Sequence, residues 1–427
     1  MDKGVRDYYL REDVQELMLA CAENREIAVR FNFGFGKRPD VLVYKKDIAD
    51  FAKQGALSFH CSEELWKNPL QIEQNMTKKQ LDELRIGWDL VLDIDCPWLE
   101  YSQIAADLLV KALRSKKVKS ISVKFSGNHG FHIGVPFQAF PSGTKNFFPE
   151  GVRIIARYLQ EMIRPFLAEK MLEKETIEEI MKKTGKKIDE ITTKEKGVKV
   201  FDPFKIVSID SLLISSRHLF RMPYSINEKS YLVSLPIEPD KILDFKKEMA
   251  NPENLKKVSI KFLDRSNIKQ NEAKELFDSA SEMFSEIRKN EEMKEVVAGK
   301  KLQKFDDLKA PLPEELFPPC MKNGLAGLRD GKKRFVFALI NFLTMSGWQY
   351  DKIEMLIREW NKRNPEPLRE NYWVTQLNYH KQQKKKILPP NCKEYYHAMG
   401  ICCPDNFCNK IKNPVSYGRL KIGKKNQ

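Results

Sequence analysis

Two carboxylates stand two residues apart inside the apolar run Val91-Leu92-Asp93-Ile94-Asp95. Side chains of a strand alternate between faces, so Asp93 and Asp95 share one face. Adjacent anions on a buried strand repel each other and lose hydration, which folding does not favour unless a cation sits between them. Acceptor-only oxygens of this kind suit Mg²⁺ or Mn²⁺. Further on, Phe125-Ser126-Gly127-Asn128-His129-Gly130-Phe131-His132 brings small residues, a hydroxyl and an imidazole to a turn between apolar runs. Ser126, Gly127 and Gly130 let backbone N–H groups come close to phosphate oxygens, and His132 can donate to a triphosphate. A metal site beside a phosphate site is what nucleotidyl transfer requires.

Two carboxylates do not fill two coordination spheres, so a third is expected from another strand. Asp210 is the candidate: it ends the apolar run Phe204-Lys205-Ile206-Val207-Ser208-Ile209 and precedes Arg217-His218-Leu219-Phe220-Arg221. The same residue could instead cap the following turn. Arg221, Lys229 and Lys124 supply positive charge for a triphosphate, or belong to a solvated surface. Cys96 reads as a small core residue, because no Cys or His lies at ligand spacing around it.

The elements that must position these residues follow from periodicity. Residues 5–24 read as an amphipathic helix and 25–90 as short strands and loops. Asp89 to Asp95 is a strand by its aliphatic content. Ser102 to Ser115 has helical period. Ser120 to Phe125 and Phe131 to Phe137 are strands around the glycine turn. A helix over 150–172 should kink or break at Pro165. The charged stretch 173–198 reads as a solvent-exposed helical hairpin, after which strands resume at Phe204 to Asp210 and Tyr231 to Pro236. The pattern is α+β. It divides into a catalytic domain over 1–240, a helical connector over 241–310, a helical domain over 311–415 and a flexible basic tail over 416–427.

With 427 residues and 42% hydrophobic content, the chain can build two or three cores. Lys and Arg total 74 against 59 Asp and Glu, a net charge of +15 that favours a polyanionic partner. No apolar run of about 18 residues is present, so no membrane span is expected. The charged N-terminus lacks a signal-peptide core, so a cytoplasmic location with reduced thiols is expected. Cys320, Cys392, Cys402, Cys403 and Cys408 then become metal-ligand candidates. Four thiolates could hold a [4Fe–4S] cluster or Zn²⁺. Tyr372, Trp373, Tyr379, His380, Lys381, Lys384 to Lys386, Tyr395 and Tyr396 interleave aromatic and basic residues. That composition suits stacking on bases, or core packing with a solvated lysine face.

VLDID, FSGNHGFHI and ID…RHLFRMPYS together resemble the three motifs of the archaeo-eukaryotic primase superfamily, in its small-subunit type, over roughly residues 25–240. The resemblance implies a split RRM-like primase–polymerase domain that joins nucleoside triphosphates on a single-stranded DNA template. By motif match Asp93, Asp95 and Asp210 are metal ligands, Ser126 and His132 bind triphosphate, and Arg221 contacts the nucleotide. The chain departs from the family in lacking a zinc knuckle near the first motif and in carrying Asn227 where a His is usual. Residues 311–415 resemble the iron–sulfur domain at the C-terminus of the primase large subunit. That resemblance implies a [4Fe–4S] cluster on Cys320, Cys392, Cys402 and Cys408, with Cys402 preferred to Cys403. The function expected is that of a DNA primase making short primers, with replication proteins as further partners. Two rival readings are a repair or plasmid-type primase–polymerase extending existing 3′ ends, and a non-catalytic single-strand-binding protein with structural zinc.

Overall fold

A computed structural model describes residues 3–73, 76–195, 197–210, 215–297, 310–382, 387–392 and 394–425. The chain divides into two compact units, 1–293 and 294–427.

The strands of the first unit are β1 (Ile27–Phe31), β2 (Gly34–Phe35), β3 (Ser58–Ser62), β4 (Glu64–Trp66), β5 (Arg85–Trp88), β6 (Leu90–Asp95), β7 (Ser122–Phe125), β8 (Phe131–Val135), β9 (Thr192–Glu195), β10 (Val198–Phe201), β11 (Ser208–Asp210), β12 (Leu219–Arg221) and β13 (Pro236–Ile237). One sheet has the order β12-β3-β1-β2 and a second the order β11-β6-β8-β7-β13. Every pairing within them is antiparallel.

The helices of this unit are α1 (Lys3–Tyr9), α2 (Glu12–Ala22), α3 (Lys45–Lys53), α4 (Lys78–Leu84), α5 (Leu99–Ser115), α6 (Glu150–Lys174), α7 (Ile177–Thr184), α8 (Ile188–Ile191) and α9 (Lys274–Val297). Helices α5 and α6 pack on each other and against the second sheet. Leu92, Ile94, Ile133, Leu109, Leu113, Ile155 and Leu159 are all fully buried there.

Several expected elements differ. The helix over 5–24 is two helices, broken between Tyr9 and Glu12. Helix α6 runs unbroken through Pro165. The insertion over 173–198 is not a helical hairpin in solvent: α7 and α8 lead into the hairpin β9–β10, with Gly197 at φ +89° in its turn. Ile180 and Ile191 tie it into the core. The strand expected from Phe204 begins only at Ser208, because Pro203–Lys205 forms a 3-10 turn capped by Asp202. The strand expected over Tyr231 to Pro236 is reduced to Pro236–Ile237 and one bridge between Ile226 and Val233. The expected break at 240 falls inside the first unit. Phe245, Phe262, Leu263, Ala273, Leu276 and Ala280 are buried in its core, and the stretch before α9 is mostly turns.

The second unit is helical: α10 (Pro319–Leu325), α11 (Lys332–Met345), α12 (Tyr350–Lys362), α13 (Glu370–Gln382), α14 (Glu394–His397) and α15 (Val415–Lys425). Its core gathers Phe335, Leu339, Phe342, Ile353, Ile357, Trp360, Trp373 and Leu377. Trp373 is therefore a packing residue, while Tyr379 is exposed. Lys384 to Lys386 lie outside the described residues. The described residues of the tail expected to be flexible belong instead to α15, in which Val415 and Tyr417 are buried.

Candidate active site

The two expected motifs meet in the second sheet. Asp93 on β6 pairs with His132 on β8, and His132 pairs with Lys124 on β7. On the other edge Asp93 pairs with Asp210 on β11. Residues directly opposite across antiparallel strands share a face, so Asp210, Asp93, His132 and Lys124 form one row of register positions. Asp95 lies two residues along β6, opposite Ser208.

Exposure falls steeply along the row. The Asp93 side chain is 47% accessible and that of His132 is 6%, while Lys124 is 0% exposed. His132 Nε2 lies 3.3 Å from Asp93 Oδ1. Burial pushes the Asp93 carboxyl upward, but His132 and then Lys124 outweigh it and hold the group below its usual value. Burial and then Lys124 push His132 down against the pull of Asp93. The pair is thus an ionised carboxylate against a neutral imidazole near pH 7. His132 Nδ1 is buried without a partner.

Lys124 is not the surface charge that its residue type allows. Its Nζ donates to Ser234 Oγ at 2.7 Å and stands 5.4 Å from the Phe262 ring and 5.7 Å from that of Phe220. Burial pushes it down to about 7, against the pull of Asp93. An arriving anion would restore the proton, so the row carries latent positive charge.

The turn between β7 and β8 is closed by Ser126, whose N–H donates to Gly130 O at 2.9 Å and whose Oγ accepts from Gly130 N–H at 3.2 Å. A Cβ on Gly130 would lie 1.8 Å from Ile94 O. This glycine therefore lets the turn pass over β6, and its N–H is already engaged. Gly127 has φ +96°, and a Cβ there would lie 2.9 Å from Asn227 Cβ. Asn227 Oδ1 in turn accepts from Lys229 N–H at 2.9 Å, and Lys229 is exposed.

Arg221 sits on β12 opposite His60. It donates to Ile226 O at 3.0 Å and pairs with Glu228 at 2.8 Å. It belongs to the first sheet, yet its charge depresses both His60 and His132.

One residue absent from the sequence expectations, Glu63, joins this electrostatic neighbourhood through His218 of the basic segment after Asp210. Glu63, 2% exposed, accepts from His218 Nδ1 at 2.9 Å. Burial raises its pKa, His218 lowers it and Asp93 raises it again. The acidic Glu63-Glu64 step directly after β3 was the available signal.

Beneath the site lies a layer of buried ion pairs. Asp89, just before β6, accepts from Arg25, from Arg265 Nη2 at 2.6 Å and from Phe137 N–H at 2.7 Å. Glu64 pairs with Arg85 at 2.5 Å, and Glu26 with Arg217 at 2.6 Å. The paired residues lie at or beside the ends of β1, β4, β5, β6 and β12.

In the second unit Cys320, Cys392, Cys402, Cys403 and Cys408 line one cavity of about 230 Å³, together with His397. Burial raises Cys320, and the neighbouring Cys392, Cys402 and Cys408 raise it further. Cys392 is pushed up to about 11 by burial and then by Cys408 and Cys402. Thiols that hinder one another's ionisation in this way are relieved by a bound cation. Asn323 Nδ2 donates to Ile401 O at 3.1 Å, tying α10 to the Cys402 loop. Among the described residues, no three His, Cys, Asp or Glu side chains are drawn close enough to hold a metal ion. The Asp210 side chain lies outside the described residues.

Residues 310–421 match the family model for the C-terminal domain of the large subunit of eukaryotic and archaeal DNA primase. The DNA primase large subunit PriL of Thermococcus kodakarensis is 25% identical over 180 residues, covering 33% of this chain and 45% of its own. The uncharacterized protein MJECS07 of Methanocaldococcus jannaschii is 24% identical over 207 residues, covering 46% of this chain and 42% of its own. The chain thus spans less than half the length of these curated relatives. The family match ties residues 310–421 to archaeal and eukaryotic DNA primases, and the likeness to PriL points to the same family. Among solved structures, the polymerase domain of Mycobacterium tuberculosis ligase D in complex with DNA aligns with a TM-score of 0.35 and 16% identity, over 65% of this chain and 88% of that one. No helix among the described residues is long and apolar enough to cross a membrane.

Proposed function

We propose that the protein is a DNA primase that carries a nucleotidyl-transfer site and an iron–sulfur domain in one chain. The observation that carries this reading is the register row Asp210–Asp93–His132–Lys124. It sets carboxylate positions beside a neutral imidazole and a buried amine, an order suited to divalent ions at one end and polyphosphate at the other. Asp93, Asp95 and Asp210 would hold Mg²⁺ or Mn²⁺. Bound ions would lower the barrier to attack of a hydroxyl on an α-phosphate and neutralise the departing pyrophosphate. His132 would donate to a phosphate oxygen, with Ser126 and Gly127 shaping the turn above it. Lys124 would regain its proton as the triphosphate arrives. Arg221 and Lys229 add positive charge from the neighbouring strand and loop. The split RRM-like reading of the first unit goes with this proposal.

For the second unit we propose a [4Fe–4S] cluster on Cys320, Cys392, Cys402 and Cys408. Support comes from the cavity that these cysteines line, with Cys403 beside them, and from the mutual hindrance to ionisation of Cys320, Cys392, Cys402 and Cys408.

The test is synthesis on single-stranded DNA with labelled ribo- and deoxyribonucleotides, Mg²⁺ or Mn²⁺, and no primer. Product made without a primer supports a primase. Product made only from an annealed 3′ end supports an extending primase–polymerase. A second reading, a non-catalytic DNA-binding partner of a primase, is favoured by the family match, which lies in a large-subunit domain. Template binding without any synthesis would support it.

A further inference from the structure

Phe33 and Phe35 belong to the tight hairpin β1–β2, where nothing in folding calls for apolar rings in water. Phe33 is 82% exposed and Phe35 44%. Turn positions of this kind are ordinarily filled by small or polar residues. The Phe33 ring lies flat on Phe31, with centroids 5.2 Å apart and planes at 4°, leaving its outer face open. The Arg30 guanidinium lies 5.5 Å from the Phe35 centroid, and the His60 ring meets Phe35 edge-on at 5.2 Å.

The register extends this cluster. Arg30 pairs with Phe35 on one side and Ser58 on the other. His60 pairs with Ala28 and with Arg221. Phe35, Arg30, His60 and Arg221 therefore lie on one face of the first sheet. One carboxylate sits among them: Glu228, 3.4 Å from Arg30 and 2.8 Å from Arg221. The two arginines outnumber it, and Lys37 is exposed just beyond the hairpin. The cationic end of this face leads to Asn227, which packs under the Ser126–Gly130 turn.

We propose that the β1–β2 hairpin is a base-stacking platform for single-stranded DNA, feeding the strand toward the candidate active site. Open aromatic faces flanked by cations match a polyanion carrying flat bases. The identity of the strand as a template rests on the primase reading above; the stacking surface itself does not.

The experiment uses the full chain and an oligothymidylate of about twenty nucleotides carrying one 5-iodouracil, which crosslinks to a stacked aromatic ring on irradiation. The peptide containing Phe33 and Phe35 should carry the label. Stacking contributes about 1–3 kcal/mol per base, so a Phe33→Ala/Phe35→Ala chain should bind about tenfold or more weakly, with an unchanged melting temperature. A label confined to other peptides, or a double variant that binds as tightly as the parent, overturns the platform. If that variant binds normally while Asp93→Asn abolishes synthesis, the platform fails and the primase reading stands. If the hairpin is labelled but no product forms under any condition, the platform stands and the primase reading fails.

Discussion

His132 Nε2 and Asp93 Oδ1 lie 3.3 Å apart on register-paired residues of neighbouring strands. The contact puts the neutral imidazole against the carboxylate, at the boundary between open and buried parts of one sheet face.

Asp93→Asn should therefore remove nucleotidyl transfer and leave the fold intact. Loss of a metal-binding charge costs several kcal/mol in the transition state, about a thousandfold in rate. Primed and unprimed synthesis should both fall by that order. Thermal melting should hold, since the side chain is half exposed. Undiminished synthesis would remove the catalytic assignment.

Lys124 sets a pH dependence of stability. Its folded pKa is lowered to about 7, against about 10.4 in an unfolded chain. Between those values the unfolded chain binds the extra proton, so the contribution of Lys124 to stability rises with pH from about 7 to about 10. Lys124→Met lacks this term. Urea midpoints should show the variant ahead of the parent below pH 7, with its advantage shrinking toward pH 10. A constant difference would mean that Lys124 keeps its proton in the fold.

Asp89, itself without solvent contact, joins the fully buried Arg25 to the partly exposed Arg265. Asp89→Asn leaves Arg25 buried without its counter-charge, which should cost about 3–5 kcal/mol in chemical denaturation. The exposed pair of Lys111 and Asp107 offers the contrast: Asp107→Asn should cost about 0.5 kcal/mol or less.

The thiol cavity gives a spectroscopic prediction. Cys320→Ser, Cys392→Ser, Cys402→Ser and Cys408→Ser should each lose iron and brown colour from protein purified without oxygen, and Cys403→Ser should keep both. Stoichiometric zinc in a colourless parent protein would reverse the cofactor assignment.

Parts of the site were legible because they are local. The two-residue spacing of Asp93 and Asp95 in an apolar run fixed their common face, and the glycines after Phe125 marked a turn. The pairing of Asp210 with Asp93 is non-local: the apolar run that Asp210 ends made it a candidate and the motif resemblance agreed, but neither gave the register. The Glu63–His218 contact joins residues 155 positions apart, so sequence spacing gave no sign of it. For Lys124 the sequence left a phosphate contact and a surface charge equally open, because its burial depends on Phe220 and Phe262, which arrive from later segments. The β9–β10 hairpin hid inside a charged run, where the lysines obscured the β-branched alternation. Residues 241–273 misled because their polar composition masks a few deeply inserted rings, Phe245 and Phe262 among them.

Leu312 at the entrance to the second unit donates its N–H to Ser346 O at 2.9 Å, and its side chain packs against Gly418 of α15, where a Cβ would meet it at 2.4 Å. Segments near both ends of the helical stretch from Leu312 to Lys425 therefore touch. A module whose two ends meet can be lifted out, grafted into another chain or circularly permuted without opening its interior. Gene fusion then needs only a linker at one seam.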